Sequence, residues 1–342
     1  MRIAFSRGFV TVLIAVGMAV GLSARAETIP QLSASKVIQL TPINSAETLP
    51  VVSSVALDPA GKLLAAVGDD HLVRVFDLPS GHLAHRWASH VDWVHASVFQ
   101  PNGSVLATSG ADRRICFWNV ATDGKARNVS DRLPAVVHAL ACSPDGRLLA
   151  AAGFADSVWL FDAEQGKLIR ELPAPGVDIR TITFSPDGKR MAAAGRAGLV
   201  RIWDVASGQQ ISDVQVSTRR VFALAYSPDG KLLAAGGHQR IVRLLDSASG
   251  KAVADLPERP GDVMALCFCG TDTLASAGSG NVIHIWDIAS QRERCQLLGH
   301  TGSITTLVFN RSETMLISGS YDTTVRVWDV KRHNEERVTQ RR

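Results

Sequence analysis

Histidine, cysteine and carboxylate side chains could catalyse a reaction or hold a metal here, and their spacing argues against both. The 342-residue chain has ten His and five Cys, but no phosphate-binding loop, no G-x-S-x-G, no H-E-x-x-H and no dinucleotide motif. His82 and His85 lie three apart on a predicted strand and so point to opposite faces. We therefore predict no metal site and no cofactor.

The five cysteines show no C-x-x-C spacing and are odd in number. Cys267 and Cys269, two apart on a predicted strand, would stand about 6 to 7 Å apart, at the limit of disulfide geometry. Buried thiols behave as small hydrophobic groups. We predict no structural disulfide among Cys116, Cys142, Cys267, Cys269 and Cys295.

Composition excludes several classes of protein. The chain is 46% hydrophobic and 20% charged, which is typical of a packed globular protein and excludes a disordered or collagen-like chain. The net charge of +4 rests largely on Arg2, Arg7 and Arg25, which belong to a segment that we interpret as a targeting signal. The remainder is close to neutral, and we predict no nucleic-acid partner.

The first 26 residues have the three parts of a secretory signal. Arg2 and Arg7 precede an apolar run over residues 8–22, and Ser23-Ala24-Arg25-Ala26 follows. The run is shorter than the ~20 residues of a spanning helix, which favours cleavage after Ala26. We expect a periplasmic or secreted protein without a stable membrane anchor after cleavage. An uncleaved anchor, or an intracellular protein whose N-terminus is not a signal, are the alternatives.

One turn signal recurs along the chain. A tetrapeptide such as Ser185-Pro186-Asp187-Gly188 appears at intervals of 42 or 43 residues, with its proline at 59, 101, 144, 186 and 228. Proline presets φ at the second turn position, and glycine accepts a positive φ at the fourth. Degenerate copies at Gly270 and Arg311 continue the series. Seven copies of one unit are therefore predicted.

Each copy carries a second marker 17 or so residues after the first, an aromatic or leucine followed by Asp or Asn, as in Trp203-Asp204. Alternating runs and tight turns divide the copy into four short strands, with no room for a helix. The last copy lacks its fourth strand, and residues 35–40 have the form of the missing one.

A four-stranded sheet cannot bury both of its faces alone, but seven stacked radially bury each other. We therefore predict an all-β fold, a seven-bladed β-propeller of four-stranded antiparallel blades over residues 35–330, closed by an N-terminal strand. The basic tail, 331–342, is expected to be disordered.

The repeats resemble the WD-repeat β-propeller family over most of the chain. The best copy runs from Gly299-His300 to Trp328-Asp329. The resemblance implies a hydrogen-bonded chain inside the blade, formed here by His90, Thr108, Asp112 and Trp118 in the second copy and by His300, Ser318, Asp322 and Trp328 in the seventh. Four copies depart from the pattern: Ala197, Gln239 and Gly280 replace the aspartate, and the third copy shifts it to Asp156. We expect these four to rest on apolar packing alone.

Projecting the family's face positions onto this sequence gives a candidate partner-binding face: Trp93, His95, His138, Arg180, Arg196, Arg220, Phe222, His238 and Tyr321. Trp93, His95 and Tyr321 form its aromatic sector, and Arg180, Arg196 and Arg220 form its basic sector. Trp, Tyr and Arg dominate binding hot spots. The leading hypothesis is a non-catalytic, exported scaffold that binds a protein or peptide through an acidic stretch of that partner. The alternatives are an exported hydrolase or lactonase using Asp178 and Asp262, and an intracellular scaffold. The sequence makes no prediction of oligomeric state.

Overall fold

The computed structural model describes residues 29–42, 48–88, 90–122, 126, 128–312 and 314–330. Every helix or strand assigned in these ranges is a strand. Within them, no helix is long and apolar enough to cross a membrane. The predicted signal peptide, 1–26, and the tail, 331–342, lie outside the described residues.

Twenty-nine strands cover this part of the chain. Two come before the first repeat, β1 (Gln31–Leu32) and β2 (Lys36–Gln39). Blade 1 contains β3 (Val52–Leu57), β4 (Leu63–Gly68), β5 (Leu72–Asp77) and β6 (Leu83–Ala88). Blade 2 contains β7 (Val94–Phe99), β8 (Val105–Gly110), β9 (Ile115–Asn119) and β10 (Asn128–Val129). Blade 3 contains β11 (Val137–Cys142), β12 (Leu148–Gly153), β13 (Ser157–Asp162) and β14 (Leu168–Pro173).

The remaining blades follow the same plan. Blade 4 contains β15 (Ile179–Phe184), β16 (Arg190–Gly195), β17 (Leu199–Asp204) and β18 (Gln210–Gln215). Blade 5 contains β19 (Val221–Tyr226), β20 (Leu232–Gly237), β21 (Val242–Asp246) and β22 (Ala252–Asp255). Blade 6 contains β23 (Val263–Phe268), β24 (Thr273–Gly278), β25 (Ile283–Asp287) and β26 (Arg292–Leu297). Blade 7 contains β27 (Ile304–Asn310), β28 (Met315–Ser320) and β29 (Thr324–Asp329).

The N-terminal strand closes the ring. β2 pairs antiparallel with β29, with Lys36 opposite Val327 and Gln39 opposite Thr324. Blade 7 thus has the order β2-β29-β28-β27. The predicted seven-bladed propeller of four-stranded antiparallel blades, closed by an N-terminal strand, is confirmed.

Blade 6 carries a fifth strand that the sequence does not predict. β1 pairs with β26 in parallel, with Gln31 opposite Gln296 and Leu32 opposite Leu297. Two residues are too few to show the alternation by which a strand is recognised. The segment before the ring-closing strand therefore also covers the outer edge of a neighbouring blade.

Apolar contacts between blades build the core. Val73 and Trp87 of blade 1 pack in one cluster with Phe99 and Trp118 of blade 2, and the two indoles stack with centroids 5.1 Å apart. The second strands of blades 1, 3, 4, 5 and 6 are rich in Ala and Gly, and residues such as Ala150 are fully buried there. Small side chains suit this strand because the inner parts of neighbouring blades converge.

The recurring turn tetrapeptides join the first and second strands of blades 1 to 5. Their glycines adopt φ between +70° and +74° in Gly61, Gly103, Gly146, Gly188 and Gly230, as the turn signal requires. In blade 3 the hydroxyl of Ser143 donates to Asp145 and accepts from the amide of Leu148. These turns lie at the opposite ends of the first strands from the candidate face.

The expectation that the blades departing from the pattern rest on apolar packing alone is wrong. Arg201 and Arg243 each form a bidentate ion pair with the residue directly opposite on the fourth strand, Asp213 and Asp255. At the equivalent register of blade 3, Trp159 donates to Glu171. Side chains directly opposite in an antiparallel pair are close enough to interact, so a cross-strand pair supplies polar contacts there.

Blade 6 also departs from apolar packing, because Trp286 donates to Ser276 at 2.8 Å. The arginines further tie neighbouring blades together. Arg201 donates to the carbonyl oxygens of Pro173 and Ala174 in blade 3, and Arg243 donates to the carbonyl oxygen of Val216 in blade 4.

Candidate functional site

Two hydrogen-bonded chains hold blades 2 and 7 in shape. In blade 7, His300 contacts Asp322 through Nδ1 and Ser318 through Nε2, each at 2.7 Å, and the indole of Trp328 donates to the same hydroxyl at 2.9 Å. In blade 2 the same contacts, each 2.8 Å long, join the equivalent residues His90, Asp112, Thr108 and Trp118. These side chains are buried and hydrogen-bonded to one another, so we assign them a structural role within the blade.

The aspartates of these chains are held ionised. Burial raises the pKa of Asp322, but hydrogen bonds from His300, from Thr324 and from the backbone of Thr301 outweigh it, and the pKa lies well below its usual value. The same causes, with His90 as the main partner, lower the pKa of Asp112. Both carboxylates therefore act as fixed acceptors.

The second residue of each first strand lines a channel through the ring. These positions recur at 41- to 43-residue intervals, so the repeat itself brings one side chain from every blade to the channel: Ser53, His95, His138, Arg180, Phe222, Met264 and Thr305. The channel encloses about 330 Å³. The repeat therefore fixes where these seven side chains lie, and their residue types vary from blade to blade.

Trp93 and Tyr321 join the channel residues around a mouth of about 230 Å³. Trp93 is half-buried, whereas the other six tryptophans are fully buried, and Tyr321 is 40% exposed. The structure thus brings six of the predicted face residues to one cavity: Trp93, His95, His138, Arg180, Phe222 and Tyr321. Arg196, Arg220 and His238 do not line it.

Four rings on the candidate face form a continuous row. Ring centroids are 5.3 Å apart between Trp93 and His95, 4.1 Å between His95 and His138, and 4.7 Å between His138 and Phe154. Burial, together with the charge of Arg180, lowers the pKa of His95 to about 4. Burial and then the neighbouring His95, Arg180 and Arg220 lower the pKa of His138 to about 3. Both imidazoles are therefore neutral at pH 7.

The basic sector is less positive than its sequence suggests. Arg180 and Arg220 both pair with Asp178, at 2.5 and 2.7 Å, and this carboxylate is buried. Arg196 is exposed. The pair of bound arginines keeps one net positive charge, because Asp178 offsets the other.

The two carboxylates considered for catalysis are already engaged. Asp178 lies between two guanidinium groups, and Asp262 contacts Nδ1 of His238 at 2.7 Å. Neither residue belongs to the lining of the channel or of its mouth. Among the described residues, no cluster of three or more His, Cys, Asp or Glu could hold a metal ion, and all five cysteines are free thiols.

Phe154 is the face residue that sequence reasoning missed. It is 47% exposed, meets His138 edge-on and lies 4.9 Å from the guanidinium carbon of Arg180. It occupies the turn after the second strand, at the repeat position of Arg196, His238 and Tyr321. The 42-residue interval would have found it.

Comparison with known proteins agrees with this architecture. The family model described as WD domain, G-beta repeat, matches residues 250–287 and 292–329. A β-propeller model described as Nucleolar protein 10-like, N-terminal domain, matches residues 43–259, which is well over half of the chain.

Curated relatives share parts of the chain. COMPASS component SWD3 of Saccharomyces cerevisiae is 28% identical over 120 residues, 35% of this chain and 38% of the relative. WD repeat-containing protein VIP3 of Arabidopsis thaliana is 26% identical over 146 residues, which cover 39% of this chain and 46% of the relative. Small ribosomal subunit protein RACK1 of Neurospora crassa is 30% identical over 117 residues, which cover 34% of this chain and 35% of the relative. The matches thus span less than half of each relative. With its seven-bladed ring and these matches, the chain belongs to the WD-repeat β-propeller family.

Proposed function

We propose that the chain is a non-catalytic scaffold that binds a protein or peptide at the mouth of its channel. The observation that carries this proposal is the placement of Trp93, the tryptophan that is not fully buried, beside Tyr321 on the cavity rim. Large aromatic side chains and arginines supply most of the binding energy in protein interfaces, typically 2 kcal/mol or more at a hot spot. Phe154, exposed next to Arg180, extends the same surface.

The names of two relatives support a scaffold. One is called a component of COMPASS, and another a small ribosomal subunit protein; each name describes a part of an assembly. The carboxylates of this chain that a hydrolase would need are paired with arginine or histidine. A partner that packs on the rim fits these facts better than a substrate that reacts inside the channel.

We further propose that the protein acts outside the cytoplasm, after removal of residues 1–26. The arginines, apolar run and small residues of that segment support export. The intracellular scaffold remains the competing proposal, and the relative named as a ribosomal protein favours it. Sequencing the N-terminus of the protein from each cell fraction decides between them: export predicts a chain that begins at Glu27 in an extracytoplasmic fraction, and an intact Met1 in the cytosol contradicts it.

The binding face is tested by affinity capture of partners with variants of three candidate face residues. Trp93→Ala, Tyr321→Ala and Arg196→Ala should each reduce the captured partner at least fivefold, because each removes a large contact on one face. Arg147→Ala is the matched control, since its side chain is 85% exposed in a turn on the opposite face. Arg180 and Arg220 are left intact because their loss would strand the buried Asp178. If all three of these variants capture as much partner as the unaltered protein, the proposal is overturned.

A further inference from the structure

An unpaired polar atom lies in the wall of the channel mouth. Nε2 of His138 is buried and makes no hydrogen bond within the described part of the chain. Its ring packs against His95, with centroids 4.1 Å apart, and against Phe154 in a T-shaped arrangement, with centroids 4.7 Å apart. A buried polar group without a partner is costly, and these two ring contacts limit the ways in which this imidazole can turn to find one.

A guanidinium group with spare donors lines the same cavity. Arg180 uses Nε for Asp178, and its two terminal nitrogens have no hydrogen-bond partner among the residues that the structure describes. Its guanidinium carbon stands 4.9 Å from the ring of Phe154, the same ring that His138 touches. Phe154 thus contacts both the guanidinium group with spare donors and the imidazole with the unpaired nitrogen, and Arg180 and His138 both line the mouth.

We propose that the channel mouth contains a subsite for a single carboxylate, with one oxygen accepting from Arg180 and the other from Nε2–H of His138. The proposal rests on the proposed function and names its contact: a glutamate, aspartate or C-terminal carboxylate of the protein partner. Charge favours a carboxylate over a phosphate, because Arg180 and Arg220 less Asp178 leave one net positive charge, which balances one negative charge rather than two. The mouth of about 230 Å³ admits one such side chain.

Protonation distinguishes this subsite from one built on a charged histidine. The groups facing His138 are His95, Arg180 and Arg220, and those facing His95 include Arg180, Asp92 and Asp112. With the pKa of His138 at about 3, the imidazole donates as a neutral group. Affinity should therefore change less than twofold between pH 6 and 8, while falling with added salt because Arg180 supplies the charge.

The test is an NMR titration of the full chain carrying ¹⁵N-labelled histidine. The probes are N-acetyl-glutamate α-amide and its glutamine counterpart, followed by Gly-Gly-Glu-Gly-Gly and Gly-Gly-Gln-Gly-Gly. The glutamate probes should shift Nε2 of His138 and bind at least tenfold more tightly than the glutamine probes. Arg180→Gln should weaken glutamate binding at least tenfold, whereas Arg147→Gln, an exposed arginine in a turn on the opposite face, should change it less than twofold.

Equal binding of the glutamate and glutamine probes overturns the proposal. Equal loss in Arg180→Gln and Arg147→Gln does so too. If Arg180→Gln fails to fold, the ratio of the affinities of the unaltered protein for the glutamate and glutamine probes decides whether the subsite exists. Tighter binding of the peptide than of the free amide supports a protein source, and the reverse order overturns that source. A failed titration together with partner loss in Trp93→Ala would remove the subsite and leave the proposed function standing.

Discussion

The hydroxyl of Ser318 holds two buried groups at once, the indole nitrogen of Trp328 and Nε2 of His300. Ser318→Ala should destabilise the protein by roughly 2–4 kcal/mol, because both groups lose their acceptor or donor in a dry interior. Urea unfolding followed by tryptophan fluorescence measures this. Ser109→Ala is the matched control, since Ser109 is equally buried but its hydroxyl has no partner among the described residues. Equal destabilisation by the two variants would contradict this role for the chain.

The paired imidazoles of His95 and His138 predict a pH dependence of stability. Their pKa values are lowered to about 4 and about 3 by burial, whereas an unfolded histidine titrates near 6.5. Below about pH 6.5 the unfolded chain binds protons that the folded chain does not, so their contribution to stability is complete above that pH and is lost as the pH falls toward 4.

The double variant His95→Gln, His138→Gln should therefore lose less of its melting temperature between pH 7 and pH 4.5 than the unaltered protein. Calorimetry at several pH values gives the slope. His82→Gln, an exposed position, should leave the slope as it is. A double variant with the unaltered slope would show that these imidazoles are not the groups that titrate.

Sequence spacing predicts contacts that recur from repeat to repeat, but it does not predict contacts that occur once and depend on a single loop. His300, Ser318, Asp322 and Trp328 are recognisable because their order and intervals recur in the second copy. The sharing of Asp178 by Arg180 and Arg220 cannot be predicted in this way, because it joins side chains of two blades and no motif marks the pairing. Asp178 itself has a positive φ of 64°. The charge of the basic sector was therefore visible only in the structure.

At the scale of elements, the two N-terminal strands contribute unequally to the stability of the fold. β2 buries Ile38 and, just after it, Leu40, and each fully buried side chain of this size is worth about 1.5–3 kcal/mol. Deleting residues 35–41 should open blade 7 and lower the melting temperature by on the order of 10 °C. Deleting 30–33, which removes β1 and the half-buried Leu32, should lower it by less than about 4 °C. An unchanged melt after the first deletion would refute ring closure as a source of stability.

The same comparison shows why the sequence predicts one of these strands and not the other. Residues 35–40 match the form of a fourth strand that the last repeat lacks, so an unfilled place in the ring identifies them. β1 fills no such place, because blade 6 already has four strands. Likewise, the cross-strand pairs of Arg201 and Arg243 could be read from the alignment of repeats only once the register was known.

At the scale of the whole molecule, the repeat of about 42 residues places equivalent positions of every blade on the same face of the ring. One end of every first strand brings a channel residue to the candidate face, and the other end leads into a turn on the opposite face. The period therefore fixes the fold and the position of the candidate site, while the residue types at the channel positions and in the neighbouring loops give the site its chemistry. The aromatic rim and the arginines around Asp178 belong to a single face.

Hydrogen exchange on the complex recovered by affinity capture tests this placement most directly. Binding at the channel mouth should slow amide exchange in segments 91–95, 136–138 and 321–323, and leave the turns at 143–146, 185–188 and 227–230 unchanged. Protection confined to those turns, with free exchange around Trp93 and Tyr321, would place the partner on the opposite face and contradict the account.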